Sequence, residues 1–232
     1  MKLSKRLNRL AEMVTAGNRL ADVGTDHGYV PICLCSRKKI PGAIAMDVNE
    51  GPLLRAQSHI RECGMENYIE TRLSDGLTAL RPGEADTVLI AGMGGALTVR
   101  ILSEGMQGLT GVRELILQPQ SEIHEVRRWL LAHGYRIVCE DILLDEEKYY
   151  PMMKAIPGAS EAYSEEEYRF GRLELQNSLD ILREFLKKSL SVQKQIADSL
   201  PASGAERIQK RRLEVEQEIR TLQEILKCCP DR

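Results

Sequence analysis

Three carboxylates stand at or just past the ends of successive apolar runs: Asp26 in ADVGTDHGYVP (21–31), Asp47 in AIAMDVNE (43–50) and Asp75 in RLSDGL (72–77). The first stretch nearly reads as a nucleotide-binding glycine loop, with Gly24 and Gly28 allowing a tight turn and close backbone approach to a ligand. Asp26, however, occupies the place of the middle glycine. A pyrophosphate seated there, against the helix N-terminus that follows, would be repelled by a carboxylate. S-Adenosylmethionine has no phosphate; it carries a sulfonium, an ammonium and a carboxylate, and an acid near its methionine part is attractive. Asp47 is suited to accept hydrogen bonds from both hydroxyls of a ribose, although it could instead cap the next helix, as could Asn49. Asp75 falls near the expected adenine pocket.

Two further turns belong to the same constellation. LIAGMGG (89–95) brackets Met93 with glycines at the point expected to face the sulfonium, a pattern that a tight strand–helix connection would also produce. It lacks the Asn/Asp-Pro-Pro-aromatic motif with which many amine-directed methyltransferases hold an exocyclic amine. LILQPQ (115–120) ends in Gln118 and Pro119, suited to the substrate side of a cleft, with Pro119 also readable as turn punctuation.

Short apolar runs alternating with helical periods must position these residues, which is the rhythm of a parallel α/β sheet. Strands are expected at 19–23, 42–47, 69–73, 87–91, 114–118, 135–144 and 148–156, with helices at 30–38, 51–63, 96–103 and 121–132. Only Asp145 to Glu147 separates the last two strands, too little for a crossover helix, so they should pair antiparallel. The expected fold class is α/β: a Rossmann-like, seven-stranded class I methyltransferase sheet with an antiparallel last strand. A basic leader precedes it, with Leu3, Leu7, Leu10 and Val14 on one helical face. Beyond Gly158, Leu175, Leu179, Leu182 and Leu186, then Val215, Ile219, Leu222 and Leu226, recur at helical spacing about the turn SLPASGA (199–205). An antiparallel helical hairpin of coiled-coil type is expected, giving a domain over 1–158 and a second over 159–232.

The 232 residues, 43% hydrophobic and 28% charged, suffice for one sizeable core. No apolar run is long enough for a bilayer and the leader is broken by Lys2, Lys5, Arg6 and Arg9, so a soluble cytoplasmic protein is expected. Six cysteines without a CxxC pair and four histidines without ligand spacing read as reduced thiols and no metal. A net charge of −2 gives no overall attraction to nucleic acid, yet the leader and the cluster Lys210, Arg211 and Arg212 are locally cationic. That cluster could equally be a solvated helix face.

Taken in order, ADVGTDHGYVP, DVNEGPL, RLSDGL, AGMGG and LILQPQ, followed by the hairpin, resemble the bacterial tRNA (adenine(22)-N(1))-methyltransferase family over nearly the whole chain. The resemblance implies methyl transfer from S-adenosyl-L-methionine to N1 of an adenine in the tRNA D-arm. It implies a cofactor site of Gly24, Asp26, His27, Gly28, Asp47, Asp75, Gly76, Gly92 and Met93, and a helical appendage that engages the tRNA body. On this reading Asp26 serves electrostatically in catalysis and His27 orients or hydrogen-bonds, or else merely stabilises the loop. An extruded adenine would stack on Tyr29 or on Tyr149 and Tyr150, which could also be core residues. Phosphate contacts would come from Lys5, Arg6, Arg9, Lys210, Arg211 and Arg212. A monomer is expected, since the hairpin buries its own seam. A methyltransferase of a small metabolite, or an inactive RNA-binding protein, are the alternatives.

Overall fold

The computed structural model describes residues 3–173, 179–201 and 206–228. Central strands buried on both faces read as continuous apolar runs, and β1 (Leu20–Val23), β2 (Ala43–Asp47) and β5 (Glu114–Pro119) are buried along their whole length. With β3 (Ile69–Leu73), β4 (Thr87–Met93), β6 (Tyr135–Asp145) and β7 (Lys148–Pro157) they form a seven-stranded sheet in the order β3-β2-β1-β4-β5-β7-β6. The first five strands are parallel, and β7 runs antiparallel to both β5 and β6. The edge strand β3 is buried only at Ile69 and carries Arg72, whose guanidinium binds Glu70 and Glu84 at 2.6 Å each.

The hairpin joining β6 and β7 is tighter than DEE suggested: Asp145 pairs with Lys148, leaving Glu146 and Glu147 as the two loop residues. Both have positive φ, 47° and 62°, as a type I′ turn requires. The connecting helices are α2 (Tyr29–Ser36), α3 (Glu50–Glu62), α4 (Gly95–Glu104) and α5 (Ile123–Ala132). Because the strand order reverses between β1 and β4, a crevice opens at their carboxyl ends, the usual ligand position of such sheets.

The leader folds as α1 (Lys5–Met13), capped by Ser4, whose hydroxyl accepts the Leu7 N–H at 3.2 Å. Leu10 and Val14 are buried, and Leu3 and Leu7 pack on the same core. Its far end is pinned by side chains from across the sheet. Lys39 Nζ donates to the Ala11 and Glu12 carbonyls at 2.8 and 2.9 Å, and Lys154 Nζ to the Met13 carbonyl at 2.9 Å. Buried Glu114 accepts from Thr15 N–H at 2.9 Å, Thr15 Oγ1 at 2.6 Å and Lys154 at 2.7 Å. The leader is therefore part of the core.

The first compact unit runs to Phe170, beyond the Gly158 at which composition changes. The physical reason is Arg127 on α5. Its Nε binds buried Glu140 at 2.7 Å, and its Nη1 donates to the Tyr168 and Arg169 carbonyls at 3.0 Å each, holding α6 (Glu165–Phe170). The second unit contains α7 (Leu179–Ser199) and α8 (Glu206–Cys228), which pack together with Leu182, Leu186, Val215, Leu222 and Ile225 buried in their seam. Leu175, residues 202–205 of the expected turn, and Cys229 lie outside the described residues. No helix among the described residues is long and apolar enough to cross a membrane.

Candidate cofactor and substrate site

The glycine–acid loop is folded onto β2 by its own backbone. Gly24 and Thr25 donate their N–H groups to the Met46 carbonyl at 2.8 and 2.9 Å, and Asp26 N–H reaches Asp47 Oδ2 at 3.3 Å. Gly24 has φ 70°, and a Cβ built there would lie 2.3 Å from Met93 Cε. The ADVG and GMGG turns, nearly seventy residues apart in sequence, are thus in contact at the switch point. Gly28, at φ 69°, opens α2, and Gly92, at φ 79°, donates its N–H to Gln118 Oε1 at 3.2 Å. Gly76 is held to glycine by φ 59° and by Ile101, 2.9 Å from where a Cβ would stand.

A cavity of about 270 Å³ opens between this loop and α1, lined by Asp22, Gly24, Thr25, Asp26, His27 and Arg6 among others. Asp22 escaped the sequence reading, because an acid one residue from the end of a fully buried strand reads simply as part of that strand. It is 6% exposed and accepts from Thr25 Oγ1 at 2.6 Å. Burial pushes its carboxyl up to about 6, the Thr25 hydrogen bond opposing this and the Asp47 charge adding to it. The only sequence signal was its place two residues before Gly24. Asp47, also buried, accepts from Asn49 N–H at 3.0 Å as well as from Asp26, so it braces the loop.

The other two acids are exposed, and of them only Asp26 lines the cavity. The exposed Asp26 carboxylate binds Arg55 of α3 at 3.0 Å and lies 3.4 Å from His27 Nε2, while Asp75 binds Arg100 of α4 at 3.1 Å. Tyr29 is stacked with two histidine rings. Its centroid is 5.0 Å from that of His27 and 5.4 Å from that of His59, whose Nδ1 meets the His27 carbonyl at 3.1 Å. His59 was not anticipated, since it lies mid-helix on α3. His27 Nδ1 is shielded from solvent and has no hydrogen-bond partner among the described residues.

Helix α1 closes the remaining side. Arg6, expected on phosphate, turns its guanidinium to the cavity and donates from Nη1 to Gln118 Oε1 at 2.9 Å, with Cζ 5.4 Å from the Tyr150 ring centroid. Gln118 and Pro119 are buried, and Gln118 Nε2 donates to the Pro119 carbonyl at 3.3 Å. Arg9 is engaged by Asp141 and Glu12, whereas Lys5 is exposed. Tyr149 precedes Tyr150 on β7 and is half-buried. In the second unit Lys210 is exposed, Arg211 binds Glu214 and Arg212 binds Glu216, each at 3.2 Å.

Against known proteins, residues 3–153 match the family described as "Methyltransferase domain". A Bacillus subtilis protein named tRNA (adenine(22)-N(1))-methyltransferase is 41% identical over 70% of this chain and 68% of its own. Among solved structures, Streptococcus pneumoniae Sp1610 in complex with S-adenosyl-L-methionine is 33% identical with a TM-score of 0.88, covering 97% of this chain and 100% of that one. Mycoplasma capricolum TrmK in complex with S-adenosyl-homocysteine is 26% identical with a TM-score of 0.85, covering 99% and 100%. On this identity and coverage, with the fold shared over nearly the whole chain, the chain belongs to the tRNA (adenine(22)-N(1))-methyltransferase family.

Proposed function

We propose that this protein transfers the methyl group of S-adenosyl-L-methionine to N1 of adenine 22 in the D-arm of tRNA, acting as a monomer in the cytoplasm. The observation that carries the reading is a cavity lined by Asp22, Gly24, Thr25 and Asp26, whose loop is braced by Asp47 and packed against Met93, in a chain 41% identical to the B. subtilis enzyme.

The residues present fit an adenosyl ligand. Two backbone N–H groups occupy two of the roughly four lone-pair sites of the Asp47 carboxylate, leaving acceptors for a ribose diol. Buried Asp22 favours a cation beside it, and Asp26 makes the loop inhospitable to phosphate. Gly24 lines the cavity with them, Met93 lies against Gly24, and Gly28, Asp75, Gly76 and Gly92 complete the proposed cofactor site. Bound, this molecule supplies a methyl group made electrophilic by its sulfonium.

The work of the chain is placement. N1 of adenine has its own lone pair, so no side chain need first remove a proton. Holding N1 in line at near-attack distance and excluding water then dominate. Methylation leaves the ring cationic, and Asp26, with His27 beside it, stabilises that charge. The base, drawn out of the tRNA, stacks against the Tyr29 ring group or against Tyr149 and Tyr150, with Gln118 and Pro119 on the same side of the cleft. Lys5, Lys210, Arg211 and Arg212 meet phosphates, and Arg9 does so only by leaving Asp141.

The test is transfer from labelled S-adenosylmethionine to unmodified tRNA transcripts, with nuclease digestion and mass spectrometry locating the product. N1-methyladenosine at position 22, absent when that adenine is replaced by guanine, is the expected result. Cofactor binding with no methylation of tRNA would overturn the substrate assignment and favour a small metabolite.

A further inference from the structure

The carboxyl ends of β1 and β2 open onto the cofactor crevice, and a second cavity lies at their amino ends. Its volume is about 670 Å³, and its walls are the segment after α1, the turn from α2 to β2 and the turn from α3 to β3. Backbone hydrogen bonds tie these three pieces of chain together. Gly17 N–H donates to the Lys39 carbonyl at 2.8 Å, and Ala43 N–H to the Tyr68 carbonyl at 2.9 Å. Gly42 permits that second approach, since a Cβ there would stand 2.9 Å from the Tyr68 carbonyl oxygen. The cavity is held open by the same bonds that order the sheet.

Two lysines and one tyrosine give this cavity its chemistry. Helix α2 stops in a Schellman turn, with Lys38 N–H donating to the Cys35 carbonyl at 2.9 Å and Lys39 N–H to the Leu34 carbonyl at 3.0 Å. The left-handed position of such a turn is usually glycine; here it is Lys38, at φ 54°, exposed and without an ion pair among the described residues. Lys39 Nζ uses two of its three N–H groups on the Ala11 and Glu12 carbonyls, so one is left to offer. Burial pulls the Lys39 ammonium below its usual range, and an anion beside it would oppose that. Tyr68 lines the cavity with 54% of its surface exposed, an open aromatic face beside both cations. Ile40, Met65 and Cys35 supply apolar wall, the Cys35 thiol being pushed by burial up to about 11 and so kept neutral. No carboxylate among the described residues lines this cavity, whereas the cofactor cavity carries Asp22 and Asp26.

Ammonium groups for a phosphate and an exposed ring for a base are together the recognition chemistry of a nucleotide. We propose that this cavity is a second nucleotide site, in which Lys38 and Lys39 hold the phosphate and Tyr68 stacks on the base. A nucleotide of the tRNA chain and a free nucleotide share that chemistry. The site has no lining residue in common with the cofactor cavity, so the assignment does not rest on the cofactor reading.

The experiment titrates AMP, adenosine and inorganic phosphate by calorimetry into the full chain, with and without saturating S-adenosylhomocysteine. AMP is expected to bind in about the millimolar range or tighter, at least about fivefold more tightly than adenosine or phosphate, whether or not the crevice is filled. Lys38→Gln should remove the preference over adenosine and Tyr68→Leu the preference over phosphate, with S-adenosylmethionine affinity within about twofold of wild type in both. Absence of AMP binding overturns the proposal. So does AMP binding that S-adenosylhomocysteine abolishes, which belongs to the crevice, or that neither variant weakens. Phosphate binding as tightly as AMP also overturns it, leaving an anion site with no part for Tyr68. Filter binding of tRNA then separates the sources: weaker binding by Tyr68→Leu, with competition by AMP, makes the nucleotide one of the tRNA's own, and unchanged binding makes it a free one. Failure of S-adenosylhomocysteine to bind would overturn the cofactor reading alone, since the two variants still locate AMP.

Discussion

Replacing Gly24 by alanine carries two separable costs. At φ 70° an L-residue loses about 1–2 kcal/mol to backbone strain, and the new Cβ meets Met93 Cε at 2.3 Å. The second is the tip of a flexible side chain and can move, at the expense of its packing against the loop. Gly24→Ala should therefore lower the unfolding free energy by about 1–2 kcal/mol in urea. Adding Met93→Ala should relieve only the steric share. Asp22 predicts a pH dependence. Its carboxyl is raised by burial from 3.8 to about 6, so between those values the folded protein holds a proton that the unfolded chain has released. Stability without ligand then falls as pH rises through that window and levels off above it, by roughly 3 kcal/mol in all. Asp22→Asn should flatten this slope, so urea titrations from pH 4.5 to 7 should show the variant gaining on wild type. Parallel curves would mean that Asp22 is ionised throughout.

Among the elements, α6 is held by two adjacent arginines of α5: Arg127 binds its carbonyls, and Arg128 binds Glu165 and lies over the Tyr168 ring. Arg127 and Glu140 are 3% and 0% exposed, and the two α6 carbonyls both accept from Nη1 of the same guanidinium. Removing one member of a buried pair typically costs about 3–5 kcal/mol, because the remaining charge stays desolvated. Arg127→Ala should lower the melting temperature accordingly and raise hydrogen exchange across 159–170 before it does so in β1. Protection of that segment equal to wild type would show that other contacts hold it. This extension past Gly158 was not legible in the sequence, since α6 is short and strongly acidic, and what retains it are partners on α5 some forty residues earlier. The β6–β7 hairpin was legible, because the interval between two strand-like runs was too short for a helix.

For the whole molecule, a net charge of −2 means that any attraction for tRNA must come from the local arrangement of cations. Arg211 and Arg212 are paired with neighbours on the exposed face of α8, and exposed pairs of this kind are worth so little that a phosphate can compete for them. The logarithm of tRNA affinity should fall linearly with that of salt concentration. Changing Lys210, Arg211 and Arg212 together to glutamine should reduce the slope by somewhat less than one for each phosphate that is no longer neutralised. An unchanged slope in filter binding would remove the hairpin from the electrostatic footprint.

The seven strands, the reversed hairpin and the glycine turn after β1 were determined by the sequence alone. Each follows from local pattern: burial on both faces makes a strand continuously apolar, glycine permits positive φ, and chain length forbids a crossover. What only the tertiary structure decided is which side chains face one another. Arg6 and Arg9 stand one turn apart on the same basic helix, yet one meets Gln118, 112 positions later, and the other Asp141. Asp22 becomes a buried acid because β2, β4 and α1 close around β1, and His59 joins Tyr29 because α3 packs beside the loop. Burial and long-range pairing belong to the folded surroundings of a residue, which no local period records.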